Sequence, residues 1–289
     1  MKISLKNPWN KIGNTRLIKI TDKIYAKLET ENPTGSIKDR PVQFIVMNAL
    51  RDGELNSKSI LVEASSGNTG ISLSAIGANL GLPVKIIMPS NMSAERKQMM
   101  RLFGAEIIDA PPSDFKGAIQ MRNELVESNS AYWSTMQFEN SLNIKCHRET
   151  TAKEIIQQAL PYGQLEAFFS GAGTGGTIMG ARQAFQENNM GTKSMLVVPA
   201  EPSECHGIQG IGDGGDYLVH RDEMDGVFPV KTDHAIKRAK QFAKSTGLMV
   251  GISSGANLVA AEKYVQENNP EGIVVIVLCD RGERYLSLF

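Results

Sequence analysis

Ala167-Phe-Phe-Ser-Gly-Ala-Gly-Thr-Gly-Gly-Thr177 runs from an apolar segment into a turn of glycines and threonines, and a helical pattern opens at Gly176. The order is strand, turn, helix. Glycines at such a turn let backbone amides close on an anion, threonine hydroxyls add donors, and the helix N-terminus favours negative charge. Gly171–Thr177 therefore reads as a phosphate cradle. Outward from it, apolar runs bounded by Gly, Pro or Asn alternate with segments of helical spacing, which defines an α/β chain. Strands are expected at Ile24–Leu28, Ser59–Glu63, Val84–Met88, Glu106–Asp109, Ala167–Ser170, Ser194–Val198 and Ile273–Cys279. The last is continuously apolar, as suits a strand covered on both faces. Helices are expected at Asp39–Arg51, Thr69–Leu80, Ala94–Phe103, Phe115–Glu127, Arg148–Ala159, Gly176–Asn188, Asp233–Ser245 and Gly255–Glu267. A break near Gln137–Leu142 separates two α/β-like halves, and a cleft between halves is a natural ligand site.

The 289 residues, 41% hydrophobic and 21% charged, suit a soluble enzyme, and 31 basic residues balance 31 acidic ones. That balance leaves no positive field to attract nucleic acid and points to a small-molecule substrate. The N-terminal segment lacks the apolar run of a signal peptide, and no stretch approaches the ~18 apolar residues of a membrane span. A cytoplasmic location is expected. Cys146, Cys205 and Cys279 are widely spaced and odd in number, which predicts structural thiols rather than a disulfide framework or zinc site. His147, His206, His220 and His234 form no metal or triad motif and read as surface or structural residues.

Two more segments carry chemistry. Glu63-Ala-Ser-Ser-Gly-Asn-Thr-Gly70 offers the hydroxyls of Ser65, Ser66 and Thr69 and the amide of Asn68 to a carboxylate, although Ser or Asn there could equally cap the next helix. Lys38, in Pro33-Thr-Gly-Ser-Ile-Lys38-Asp-Arg40, could form a Schiff base if its ammonium loses a proton. Ser36 as a helix cap would place Lys38 in the first turn, where the helix dipole and Arg40 disfavour the charged form and Asp39 favours it. The cradle also satisfies G-x-G-x-x-G, with Glu201 where a ribose-binding acid would sit, so a dinucleotide site is a competing reading.

Asn32–Arg40, Ser65–Gly70, Gly173–Thr177 and Gly251-Ile-Ser-Ser-Gly255, in this order, resemble the four motifs of the fold-type II pyridoxal-phosphate enzymes, and among them the cysteine synthases (O-acetylserine sulfhydrylases). Met88–Arg96 and Cys279–Ser287 are similar to the cysteine synthase B branch. The resemblance implies a two-domain α/β fold like that of the tryptophan synthase β chain, each domain a twisted, mostly parallel sheet flanked by helices. Residues 35–138 would form a smaller mobile domain, and residues 1–34 with 139–289 a larger one. It implies pyridoxal 5'-phosphate as cofactor, with Lys38 as catalytic lysine, Asn68 at the ring oxygen, Gly173, Thr174, Gly175, Gly176 and Thr177 around the phosphate, and Ser253 at the pyridine nitrogen. Ser65, Ser66, Thr69 and Gln137 would hold the substrate carboxylate.

The implied reaction is β-replacement on an activated L-serine, O-acetyl-L-serine with sulfide or thiosulfate giving L-cysteine and acetate. A homodimer is implied too, and a serine acetyltransferase is a conceivable partner for which the sequence offers no support. Gln209 stands where users of O-phosphoserine carry a basic residue, and Asp213 stands where cysteine synthases have a small one. Asp213 could serve as base for water, an amine or homocysteine. The alternatives of another class are an NAD-dependent oxidoreductase and a non-catalytic regulatory homologue.

Overall fold

The computed structural model describes residues 3–202, 207–208, 210–212, 215 and 217–289. Among these, ten strands form two sheets. The six-stranded sheet has the order β1 (Leu17–Lys19), β2 (Ile24–Leu28), β10 (Ile273–Leu278), β7 (Leu165–Gly171), β8 (Lys193–Pro199), β9 (Gly226–Val230). The four-stranded sheet has the order β5 (Glu106–Ala110), β4 (Val84–Pro89), β3 (Ile60–Ala64), β6 (Tyr132–Trp133). All pairings are parallel except β1 with β2.

The continuous apolar run becomes β10, and every one of its residues is buried. Side chains alternate across a strand, so Val274, Ile276 and Leu278 enter the core formed with α8 (Thr232–Thr246) and α9 (Ile252–Asn268). Ile273, Val275 and Val277 enter the opposite core, formed with α6 (Thr151–Ala159) and α7 (Gly176–Glu187). The smaller sheet repeats the arrangement. Leu61, Ile86 and Met88 pack with α1 (Asp39–Asp52), α2 (Asn68–Leu80) and α3 (Ala94–Leu102), and Val62, Ala64 and Ile87 pack with α4 (Phe115–Ser128). Met99, Met100 and Phe103 join the first of these cores, as their helical spacing predicts.

Three short strands and one helix depart from the sequence expectation. β9 contains Pro229, which supplies no N–H, and is accommodated because β9 is an edge strand. The helix expected from Arg148 begins earlier, as α5 (Leu142–Glu149), and breaks at Thr150 (φ −120°, ψ −79°) before α6. The Thr150 hydroxyl donates to the Cys146 carbonyl at 2.7 Å.

A buried ionic cluster fixes the entry to α1. Arg40 Nε lies 2.7 Å from Glu29 Oε2, and Arg40 Nη1 lies 2.7 Å from Glu154 Oε1. Lys27, fully buried on β2, reaches Glu154 Oε2 at 2.7 Å. Asp39 is turned to the hydroxyls of Thr34 and Ser72, and burial pushes its carboxyl up against those bonds. The charges flanking Lys38 in sequence are thus both committed to the scaffold.

Candidate active site

The C-terminal ends of β3, β7 and β10 lead into one cleft of about 830 Å³, part of it open to solvent. Ligands of parallel sheets gather at this end of the strands. Helices α1, α2, α7 and α9 begin at or beside its wall, and helix N-termini favour anions.

Lys38, Ser65, Ser66, Asn68, Thr69, Gln137, Gly173, Thr174, Gly175, Thr177 and Ser253 all line this cleft. Lys38 is half-buried and sits at the N-cap of α1 rather than in its first turn, with its amide donating to Ser36 Oγ at 3.3 Å. Gly176 lies behind the wall, where an added Cβ would collide with Asn143 Oδ1. Gln209 and Asp213 lie outside the described residues, as do Cys205 and His206.

Ser65 Oγ accepts from the amides of Gly67 at 3.1 Å and Gly70 at 2.9 Å, which holds the turn closed and leaves its hydrogen to be donated. Thr69 Oγ1 donates to Gln137 Oε1 at 2.7 Å, so two candidate carboxylate ligands meet although 68 residues separate them. Ser253 occupies the first turn of α9 and is 5% exposed.

The structure adds residues to which the sequence pattern assigns no role. Asn68 Nδ2 donates to Asp280 Oδ2 at 2.6 Å, and Asn68 Oδ1 accepts from Arg284. Tyr285 also donates to Asp280. Both ends of the Asn68 amide are therefore oriented by the segment after β10. Arg96, 2% exposed, donates to the Ser66 carbonyl at 2.6 Å and backs the serine-rich turn. Cys279 is half-buried and lines the cleft. Burial and the neighbouring Asp280 push its thiol up to about 12, so it stays neutral despite Lys38 nearby. Glu201 is bonded to the amide of Thr232 at 2.9 Å and caps α8, which removes the acid that the dinucleotide reading requires.

A lysine, a glycine-built anion cradle and a clamped amide line one cleft, a set of groups that suits a phosphorylated carbonyl cofactor. The sequence profile of the family described as pyridoxal-phosphate dependent enzyme matches residues 9–280, and the chain belongs to that family. It is 39% identical to cysteine synthase B of Campylobacter jejuni, covering 96% of this chain and 95% of that one. A hydrogen sulfide-producing enzyme from Fusobacterium nucleatum superposes with a TM-score of 0.89 at 36% identity, covering 96% of this chain and 89% of that one. An O-acetylserine dependent cystathionine β-synthase from Helicobacter pylori gives a TM-score of 0.89 at 33% identity over 96% of each chain. The fold is the fold-type II architecture, the chain groups with the cysteine synthases, and its cofactor is pyridoxal 5'-phosphate.

The cradle fits that cofactor's phosphate. A Cβ on Gly173 would stand 2.7 Å from the Gly210 carbonyl, and Gly175 has a left-handed φ of +94° with Val219 against it. Only glycine keeps the turn this tight. Gly173→Ala is expected to weaken cofactor binding at least about tenfold, or ~1.4 kcal/mol, measured by titrating apoenzyme with pyridoxal phosphate. Unchanged affinity would remove the phosphate from this turn.

Proposed function

We propose that this enzyme replaces the β-substituent of an activated L-serine, with O-acetyl-L-serine as donor and sulfide or thiosulfate as nucleophile, giving L-cysteine and acetate. The convergence of Lys38, the Ser65–Thr69 turn, Gln137 and the Gly173–Thr177 turn on one cleft carries this reading. Gly173, Thr174, Gly175 and Thr177 hold the cofactor's phosphate, with Gly176 packing the turn from behind. Asn68 would meet the ring oxygen. Lys38 would be the point of covalent attachment in the resting enzyme.

Bound there, pyridoxal 5'-phosphate supplies an electron sink for the bond broken at the substrate α-carbon. Ser65, Ser66, Thr69 and Gln137 bind the substrate carboxylate. The Lys38 amine would take the α-proton as general base and return it. Ser253 would offer the pyridine nitrogen a hydroxyl rather than a carboxylate, which would make the ring a weaker sink and favour loss of a β-leaving group over racemisation. Residues 35–138 act as a smaller domain that closes on the bound carboxylate and excludes water. No described helix is long and apolar enough to cross a membrane, and we place the enzyme in the cytoplasm as a homodimer.

The Helicobacter pylori neighbour, an O-acetylserine dependent cystathionine β-synthase, supports a second reading of the nucleophile, homocysteine, for which Asp213 would serve as base. One experiment addresses both. O-Acetylserine is added to the purified holoenzyme while cofactor absorbance and acetate release are followed, and sulfide, thiosulfate and homocysteine are then compared. O-Acetylserine should alter the spectrum and release acetate, with sulfide or thiosulfate restoring the resting band fastest. Faster restoration by homocysteine, abolished in Asp213→Asn, would establish the second reading. No spectral change and no acetate would reject O-acetylserine as donor.

A further inference from the structure

Helix α5, which lies on neither sheet's strand ends, connects the two halves of the site. Its Asn143 is 1% exposed and spends both amide hydrogens across the cleft's back wall. Nδ2 donates to the main-chain carbonyl of Gln137 at 2.9 Å and to Thr174 Oγ1 at 3.0 Å. Thr174 in turn accepts from the Gly176 amide at 3.3 Å. One turn further on, His147 Nε2 lies 3.4 Å from Thr177 Oγ1 while Nδ1 lies 3.0 Å from Thr151 Oγ1. Positions i and i+4 share a helix face, so a single face of α5 touches both threonines of the phosphate turn.

Close packing enforces that contact. Gly176 and Gly180, likewise four apart, form the face of α7 opposite α5. A Cβ on Gly180 would stand 2.6 Å from the Ile144 carbonyl and 2.8 Å from the Arg148 amide, and one on Gly176 would strike Asn143. With no side chain between them, the two helices cannot shift independently. At its other end α5 follows directly on the segment carrying Gln137, whose side chain holds Thr69 and whose Nε2 donates to the Ala64 carbonyl at 3.1 Å.

We propose that Asn143 is a positioning residue that couples the two ligand grips: it ties the backbone of Gln137 to the hydroxyl of Thr174, so that seating of the cofactor phosphate and capture of the substrate carboxylate reinforce each other. This rests on the roles proposed above for Gln137 and Thr174. Coupling between sites is reciprocal, so a bound carboxylate should slow loss of the cofactor, and the same factor should appear in substrate affinity when cofactor is seated.

The test uses Asn143→Asp, which preserves shape and removes both N–H donors, in the holoenzyme. Cofactor loss to an apoenzyme acceptor is timed with and without saturating L-glycerate, which bears serine's carboxylate but no amine to displace Lys38. In the parent enzyme L-glycerate should slow loss about tenfold, or ~1.4 kcal/mol. In Asn143→Asp the slowing should fall below about twofold, with a raised KM for O-acetylserine and kcat changed less. Retention of the tenfold slowing in the variant, or its absence in the parent, overturns the proposal. Asn143→Ser provides the same comparison should the aspartate variant not fold. Gln137→Ala separates the two levels: if it leaves L-glycerate binding unchanged, the carboxylate assignment itself is wrong, whereas weakened binding there beside intact coupling in Asn143→Asp defeats the coupling alone.

Discussion

Lys38→Ala should lower turnover of O-acetylserine by a factor on the order of 10³ or more, because one amine serves as both attachment point and proton carrier, and general acid–base action alone is worth about 10²–10⁴. Lys38 is half-buried, and its backbone N–H at the start of α1 donates a hydrogen bond to Ser36 Oγ. Arg96 also lines the cleft, yet a guanidinium bonded to the Ser66 carbonyl cannot replace it. Borohydride reduction of the parent followed by peptide mapping should label Lys38, and the variant should lose that label while still binding pyridoxal phosphate at its glycine turn. A label elsewhere, or turnover within about tenfold of the parent, would contradict the assignment.

Glu29→Ala should cost about 3–5 kcal/mol, the usual penalty for stranding a buried charge. Glu29 is fully buried and accepts from Arg40, Thr15 and Asn32, so its loss strips Arg40 of one of its two carboxylate partners. The midpoint of urea unfolding checks this, with Glu29→Gln, which keeps the shape, expected to fall between parent and alanine variant. The pH dependence carries a sign. Burial raises the Glu29 carboxyl, but the charge of Arg40 and bonds from Arg40 and Thr15 outweigh it and hold the group below its ordinary value. A depressed carboxyl adds stability that is present above the unfolded value and lost as pH falls toward the folded one. Acidification from about pH 7 to about pH 3, below the unfolded carboxyl value of about 4.3, should therefore narrow the gap between parent and Glu29→Ala. An equal gap at both ends would show that Glu29 is not held as an anion.

Local pattern reaches those parts of this molecule in which local pattern decides. Ile273–Leu278 announces a central strand because both its faces are covered, and the glycine turn announces its anion because the backbone itself is the ligand. Resemblance brings Lys38, Asn68, Gln137 and Ser253 together, and the cleft contains all four. What escapes is long-range or polar. The α5 segment turns Asn143 and His147 inward, so its buried face does not look apolar, and Ser141 gives it no side-chain cap. β9 hides behind Pro229 and β6 is only two residues long. Asp280 and Arg284 act on Asn68 from more than 200 positions away, a distance no periodicity spans. Cys279 reads as an inert core thiol by composition, and its place on the cleft wall follows only from where β10 ends.

The neighbours of β10 are β2, some 250 residues earlier, and β7. At a synthesis rate of roughly 5–20 residues per second, β2 waits on the order of 12–50 s on the ribosome before its parallel partner exists. From the completion of β7 until β10 emerges, the edges of β2 and β7 lack the strand that belongs between them, a geometry that invites pairing with foreign chains. The enzyme's yield in a cell should then depend on holdase chaperones during translation more than the equilibrium stability of its finished sheets would indicate.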